Sequence, residues 1–232
     1  MKNQHTVTIL TLFLLLLFSC STIRQIRPLG KGESSGTISV GGPITNIGGS
    51  DKVYIPLPLL SVGYNRGILD KKLDLETGLH ITQLLYGILD LDLGVNYRPF
   101  ISKGWRPGLI VSPKIFLMTD FQPEGFRIYP DLCLTGVWEV RDNWYVFTGI
   151  ENWFEFSRER DDLNDQEHHW LITPYLGINL GSERWQFQFE TRVYTPNLEN
   201  TGRPTENVGF GDYGVLGFFL GVNYTFGKEK KQ

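Results

Sequence analysis

Beyond residue 33 the chain alternates apolar and polar residues with a period of two, in segment after segment. Leu89, Leu91, Leu93, Val95 and Tyr97 fall on one face of an extended run, with Asp90, Asp92, Gly94, Asn96 and Arg98 on the other. Trp185, Phe187, Phe189, Thr191 and Val193 alternate in the same way with Gln186, Gln188, Glu190 and Arg192. In a β-strand successive side chains point to opposite faces, so this pattern specifies sheets with one apolar and one polar face. Helical spacing is nowhere convincing. Ten strands are expected: 34–41, 52–64, 71–82, 86–98, 107–119, 125–140, 143–157, 168–181, 184–195 and 213–227. Most reach the ~9–11 residues that a tilted membrane-crossing strand requires, whereas ordinary globular strands run nearer ~5–6. The expected fold is therefore all-β, an antiparallel up-and-down transmembrane β-barrel of about ten strands spanning 34–227, with a polar tail at 228–232.

The start of the chain has a different character. Lys2 precedes an apolar run from Ile9 to Phe18 broken only by Thr11, and small Ser19 stands before Cys20. This is the layout of a secretory signal, too short for a spanning helix, so residues 1–19 are expected to be a signal peptide. Leu17-Phe18-Ser19-Cys20 resembles the lipobox of bacterial lipoproteins, although Phe18 replaces the usual small residue. The resemblance implies lipidation at Cys20, with residues 20–33 as a lipid-anchored periplasmic tether. Ordinary cleavage after Ser21 is the alternative. The other cysteine, Cys133, lies in an apolar strand and reads as packing. A net charge of −3, evenly mixed, gives nucleic acid nothing to recognise. The implied partners are outer-membrane lipid and the export, lipidation and barrel-assembly machinery. No surface ligand is indicated.

Loop lengths give an independent check on the barrel. With a periplasmic N-terminus, Arg141-Asp142 and Ser182-Glu183 fall on the periplasmic side and are tight. The long connections Arg158–Glu167 and Thr195–Asp212 then face outward. Short periplasmic turns with longer outer loops are characteristic of such barrels. Tyr64, Tyr97, Trp138, Trp144, Trp185 and Phe226 gather near one rim, with Tyr54, Phe154, Phe156 and Trp170 near the other, as two interfacial belts require. Gly221-x-x-Tyr224-x-Phe226 resembles the C-terminal recognition signal of outer-membrane barrels, extended here by residues 227–232.

The polar faces define the candidate lumen: Asp74, Glu76, His80, Asp90, Asp92, Arg98, Lys114, Arg127, Asp131, Glu151, Glu190 and Arg192, with Glu139 and Glu155 beside them. A barrel this narrow sits near the limit at which side chains fill the interior. Mutual pairing of these charges is accordingly expected over an open pore. His80 with Asp74 and Glu76 has the residue types of a general-base arrangement, but no serine stands in a recognisable motif, so a structural histidine is expected. The acidic loop Glu159, Asp161, Asp162, Asp165, Glu167 with His168 and His169 is similar to the rim groups of omptin proteases. It lacks the ordered spacing of a calcium loop. No metal, cofactor or catalytic residue is expected.

The whole pattern resembles small outer-membrane β-barrel lipoproteins of diderm bacteria. That implies an outer-membrane location, anchored from the periplasmic side, and a non-enzymatic structural or surface-binding role. The alternatives are a narrow polar solute channel, a lipid- or peptide-hydrolysing barrel, and a soluble periplasmic β-barrel with the same alternation turned inside out.

Overall fold

The structure, a computed structural model, describes residues 23–48, 51–120, 126–157, 166–200 and 206–227. Its strands are β1 (Ser34–Asn46), β2 (Tyr54–Pro56), β3 (Leu59–Leu69), β4 (Leu73–His80), β5 (Ile88–Phe100), β6 (Gly108–Asp120), β7 (Arg127–Arg141), β8 (Trp144–Phe154), β9 (Trp170–Gly181), β10 (Trp185–Glu199) and β11 (Tyr213–Phe226). Each long strand pairs antiparallel with its sequence neighbour, and β1 closes the sheet against β11 from Ser34↔Phe226 to Pro43↔Gly217. The result is a closed antiparallel barrel of ten long strands. Short β2 lies outside that ring, paired only with the end of β1 through Ile44↔Pro56, Thr45↔Ile55 and Asn46↔Tyr54.

Two local differences from the alternation pattern have clear causes. The strand expected at 52–64 is broken between β2 and β3, where Pro56 and Pro58 remove two ladder donors. Leu57 N–H instead donates to the Pro43 carbonyl at 2.9 Å. Opposite this break β1 bends at Gly41, whose φ of 148° brings the chain against β11. A Cβ on Gly41 would stand 2.1 Å from the Phe218 carbonyl oxygen. The strand expected at 71–82 stops at His80, and Ile81–Leu85 form one short helix, α1, that carries the chain over the rim to β5. Beyond Ile81 and Thr82 the alternation breaks at Gln83-Leu84-Leu85, where Gln83 turns inward.

Burial along the strands decides which face is the interior. On β10, Phe187 and Phe189 are 49% and 41% exposed, whereas Gln188 and Glu190 are each 1% exposed. On β5, Leu93 and Tyr97 face outward while Asp92, Asn96 and Arg98 are buried. The charged and amide side chains are inside, together with apolar clusters, and the outward face is apolar round the barrel. A soluble barrel must do the reverse, because an exposed apolar belt of this extent has no place in water. This inversion is what a bilayer demands, and closure leaves no unpaired sheet edge in hydrocarbon. The chain is a membrane-spanning barrel.

The ends of the barrel agree. Exposed Tyr64, Tyr97, Trp144, Trp185 and Phe226 ring the end that holds the tight turns. There the Trp185 and Tyr224 rings pack at 4.6 Å. Tyr54, Phe156 and Trp170 are exposed at the opposite end. Asn143 closes the β7–β8 turn at φ 61° and Lys71 the β3–β4 turn at φ 55°. On the other end β10 runs on to Glu199, so the connection before β11 is shorter than the expected Thr195–Asp212.

The segment read as a tether holds the largest surprise. Ile23, Arg24, Gln25, Ile26 and Leu29 are all buried, at 2% exposure or less. They lie inside the barrel. Leu29 accepts from Lys71 N–H and Gly32 N–H donates to Gly67, fixing the segment at the tight-turn mouth. From there the chain runs inward to Ile23, which packs on Gly221, Phe219, Val215 and Tyr194. The expected lipid-bearing residue, Cys20, lies outside the described residues.

Candidate functional site

Among the described residues, buried chemistry-bearing side chains converge in the lumen, which is filled in three levels. Nearest the tight-turn mouth, Ile26 packs in an apolar cluster with Ile110, Cys133, Val137, Tyr145, Phe147 and Tyr175. A cavity of about 30 Å³ remains there, lined by Ile26, Pro28, Arg98, Ser102, Glu139 and Tyr145 among others. That is room for about one water. Arg98 donates to Asp74 and, at 3.0 Å, to the Gln25 carbonyl, joining wall to segment. At the opposite level Phe116, Tyr129 and Trp153 pack together, with Phe116 and Trp153 ring centroids 4.4 Å apart.

Between these levels lies a layer of charge. Alternation on β4, β5, β6, β7, β8 and β10 projects Asp74, Glu76, Asp90, Asp92, Lys114, Asp131, Glu151, Glu190 and Arg192 inward, all buried. Lys114 donates to Glu76, which also accepts from Asn96 Nδ2 at 2.5 Å. Arg192 Nε donates to Glu190 at 2.5 Å, and its guanidinium lies 4.5 Å above the Phe219 ring. His80 Nε2 stands 3.2 Å from Asp92 and 3.9 Å from Asp90, with the Phe116 ring 6.2 Å away. Among described residues, seven wall carboxylates are buried (Asp74, Glu76, Asp90, Asp92, Asp131, Glu151 and Glu190) against the basic side chains Arg98, Lys114 and Arg192.

Arg24 enters this acid-rich layer from the N-terminal segment. Its Nη2 donates to Glu151 at 3.2 Å, an oxygen that Arg192 Nη1 also approaches at 3.5 Å. The guanidinium carbon lies 4.1 Å above the Tyr175 ring, a desolvated cation–π contact. Asp131, in register with Lys114 across β6–β7, lies within electrostatic reach of Arg24 and Glu151. Neither Asp131 oxygen has a hydrogen-bond partner within the protein, and Arg24 Nε and Nη1 also lack one.

Of the sequence-derived lumen residues, Arg127 is misplaced. It begins β7 at the rim and is exposed, because the alternation there runs out above the packed interior. Glu139 is likewise exposed at the other mouth and Glu155 half-buried. His80 does not meet Asp74 or Glu76; it meets Asp90 and Asp92, and its cross-strand neighbour Ser61 hydrogen-bonds Ser39. Cys133 packs on Tyr175, its Sγ 2.9 Å from the phenol oxygen. Among described residues no group of histidine, cysteine and carboxylates is placed to hold a metal ion. The acidic loop at 159–165 lies outside the described residues. His169 Nδ1 lies 2.9 Å from the Glu155 carbonyl oxygen. Sequence reasoning missed Arg24 and Tyr175, although the spacing of Ile23, Ile26 and Leu29 around two arginines differs from that of a free tether.

No protein-family model matches the sequence. No curated protein matches it either. Solved structures share the barrel fold only loosely. The translocator domain of the autotransporter NalP from Neisseria meningitidis is 12% identical with a TM-score of 0.42, covering 85% of this chain and 90% of that one. OprG, an outer membrane protein of Pseudomonas aeruginosa, is 13% identical with a TM-score of 0.33, covering 88% and 100%. A loop-deletion mutant of OmpT, an outer membrane protein of Vibrio cholerae, is 10% identical with a TM-score of 0.35, and this chain spans about half its length. These likenesses concern architecture alone; what the chain is rests on its own inverted burial, which makes it a membrane β-barrel.

Proposed function

We propose that this chain is a non-enzymatic outer-membrane barrel lipoprotein, lipid-anchored through Cys20, that presents its long connections at the cell surface as a contact region. The observation that carries the reading is the asymmetry of the barrel's two ends. One end holds turns as tight as Asp142-Asn143 and the interfacial aromatics Trp144, Trp185 and Tyr224. The other holds α1, the β1–β2 hairpin and the long connections after β8 and β10. Binding surfaces concentrate on such loops when a rigid scaffold carries them. The hairpin is itself tied to the last loop: Lys52 Nζ and Tyr54 hydroxyl donate to Glu206 at 2.9 and 2.6 Å. These exposed contacts bring the hairpin and the last loop together at the rim.

At the histidine, His80 faces Asp90 and Asp92, while buried Ser61, opposite it in the β3–β4 register, hydrogen-bonds Ser39; that arrangement supports a structural role for His80. The test is topological. Epitope tags inserted within 158–165 or 201–205 should bind antibody on intact cells, whereas tags at Asp142 or Glu183 should bind only after permeabilisation. The reverse pattern overturns the proposal.

A further inference from the structure

The luminal seat of Arg24 has the composition of a cation path closed by the chain's own cation. Carboxylates outnumber basic side chains in the wall. Arg24, carried on a segment that is not part of the sheet, supplies charge in the middle of that excess. The seat is incompletely satisfied even when filled. Both Asp131 oxygens and two Arg24 nitrogens are buried without hydrogen-bond partners among the described residues. Polar groups left this way are satisfied by water, and a lumen so lined is hydrated once the segment leaves. Rings of acidic side chains in a narrow pore favour cations over anions.

We propose that Ile23–Leu29 is a displaceable plug, and that its withdrawal converts the barrel into a narrow cation-selective conduit whose selective element is the Glu151–Asp131–Glu190 seat. The plug is attached to the wall by few bonds of its own: Arg24 to Glu151, Arg98 to the Gln25 carbonyl, Ser35 to Gln25, Arg27 to Thr225, and the Lys71 N–H to the Leu29 carbonyl at the mouth. Removing it therefore leaves every strand pairing intact. The geometry also supplies a means of withdrawal. Ile23 sits beside Gly221, five residues along β11 from Phe226 at the tight-turn end. That is ~17 Å along a strand tilted by ~35–45°, or roughly 12–14 Å of depth. Cys20 lies three peptide steps from Ile23, a reach of at most ~10 Å. The lipidation proposed above, on which this step rests, would set Cys20 in the inner leaflet and so draw the plug out. The conduit rests on the membrane span alone and is independent of the surface role proposed above.

The test uses the full chain with Cys20→Ser and Cys133→Ala, which removes acylation and both native thiols, reconstituted in planar bilayers under a KCl gradient. In this background the plug stays seated and the barrel is closed. Arg24→Glu, which sets like charges against Glu151 and Asp131, should raise open probability by on the order of a hundredfold or more. The reversal potential should be that of a cation pore. A second variant adds Ile23→Cys and Gly221→Cys, because the Ile23 Cβ lies 3.5 Å from where a Gly221 Cβ would stand, within disulfide range. Arg24→Glu in this frame should be silent when oxidised and conduct when reduced. The proposal is overturned if folded, SDS-resistant Arg24→Glu passes no current, if the current prefers chloride, or if it persists with the disulfide closed.

Discussion

Glu151 and Glu206 both accept from cationic side chains, yet the two ends of the molecule give those contacts opposite weight. Glu151 lies in the lumen, 4% exposed, between Arg24 at 3.2 Å and Arg192 at 3.5 Å. Glu206 stands at the outer rim, where its partner Lys52 is 63% exposed along the side chain. In the lumen a missing partner leaves an uncompensated charge in a medium of low dielectric. At the rim water replaces the partner at almost no cost. Identical chemistry thus fastens the interior and merely decorates the edge.

The largest expected effect is on the interior. Glu151→Ala takes from Arg24 its carboxylate partner in the lumen and should cost about 3–5 kcal/mol. Urea unfolding of the reconstituted barrel, followed by tryptophan fluorescence, measures it. A loss no larger than that of Glu206→Ala would erase the contrast between the two regions.

A smaller effect is expected at the rim and concerns pH. The hydrogen bond from Tyr54, then those from Lys52 and Asn46, pull the Glu206 carboxyl down to about 2 from its ordinary value near 4.5. A depressed carboxyl contributes stability above its unfolded value and loses it as pH falls through the folded one. Hairpin order should therefore hold steady from neutral pH to about 4.5 and decline only between there and about 2. A spin label on Val53 should report this, and mobility already rising between pH 7 and 5 would contradict it. Glu206→Gln should abolish the acid dependence.

Much of the wall was legible in the sequence because its cause is local. A sheet between lipid and a polar interior imposes a period of two, so Leu93 and Asp92 reveal their faces without any knowledge of their neighbours. The strand ends were less so. Ile81 and Thr82 continue the alternation of β4 on paper, but the chain has cleared the rim there and turns into α1. Pro56 and Pro58 signalled irregularity, while only the pairing with Pro43 and Ile44 shows β2 leaving the ring. The plug was illegible for a different reason. Residues 23–29 are inside because Glu151, Phe219 and Gly67, each far along the chain, make a place for them. No local periodicity encodes that.

The central claim is that charge lies inside and apolar surface faces lipid, and quenching by brominated acyl chains tests it most directly. Single cysteines at Leu93 and Phe189, in a Cys20→Ser, Cys133→Ala background, place a fluorophore on the outer face, where these residues are 51% and 41% exposed. Cysteines at Asp92 and Glu190 place it one residue away on the buried face, at 0% and 1%. In folded, reconstituted protein the first pair should be strongly quenched and the second pair far less. Equal quenching at all four positions, or none at any, would contradict an inverted barrel.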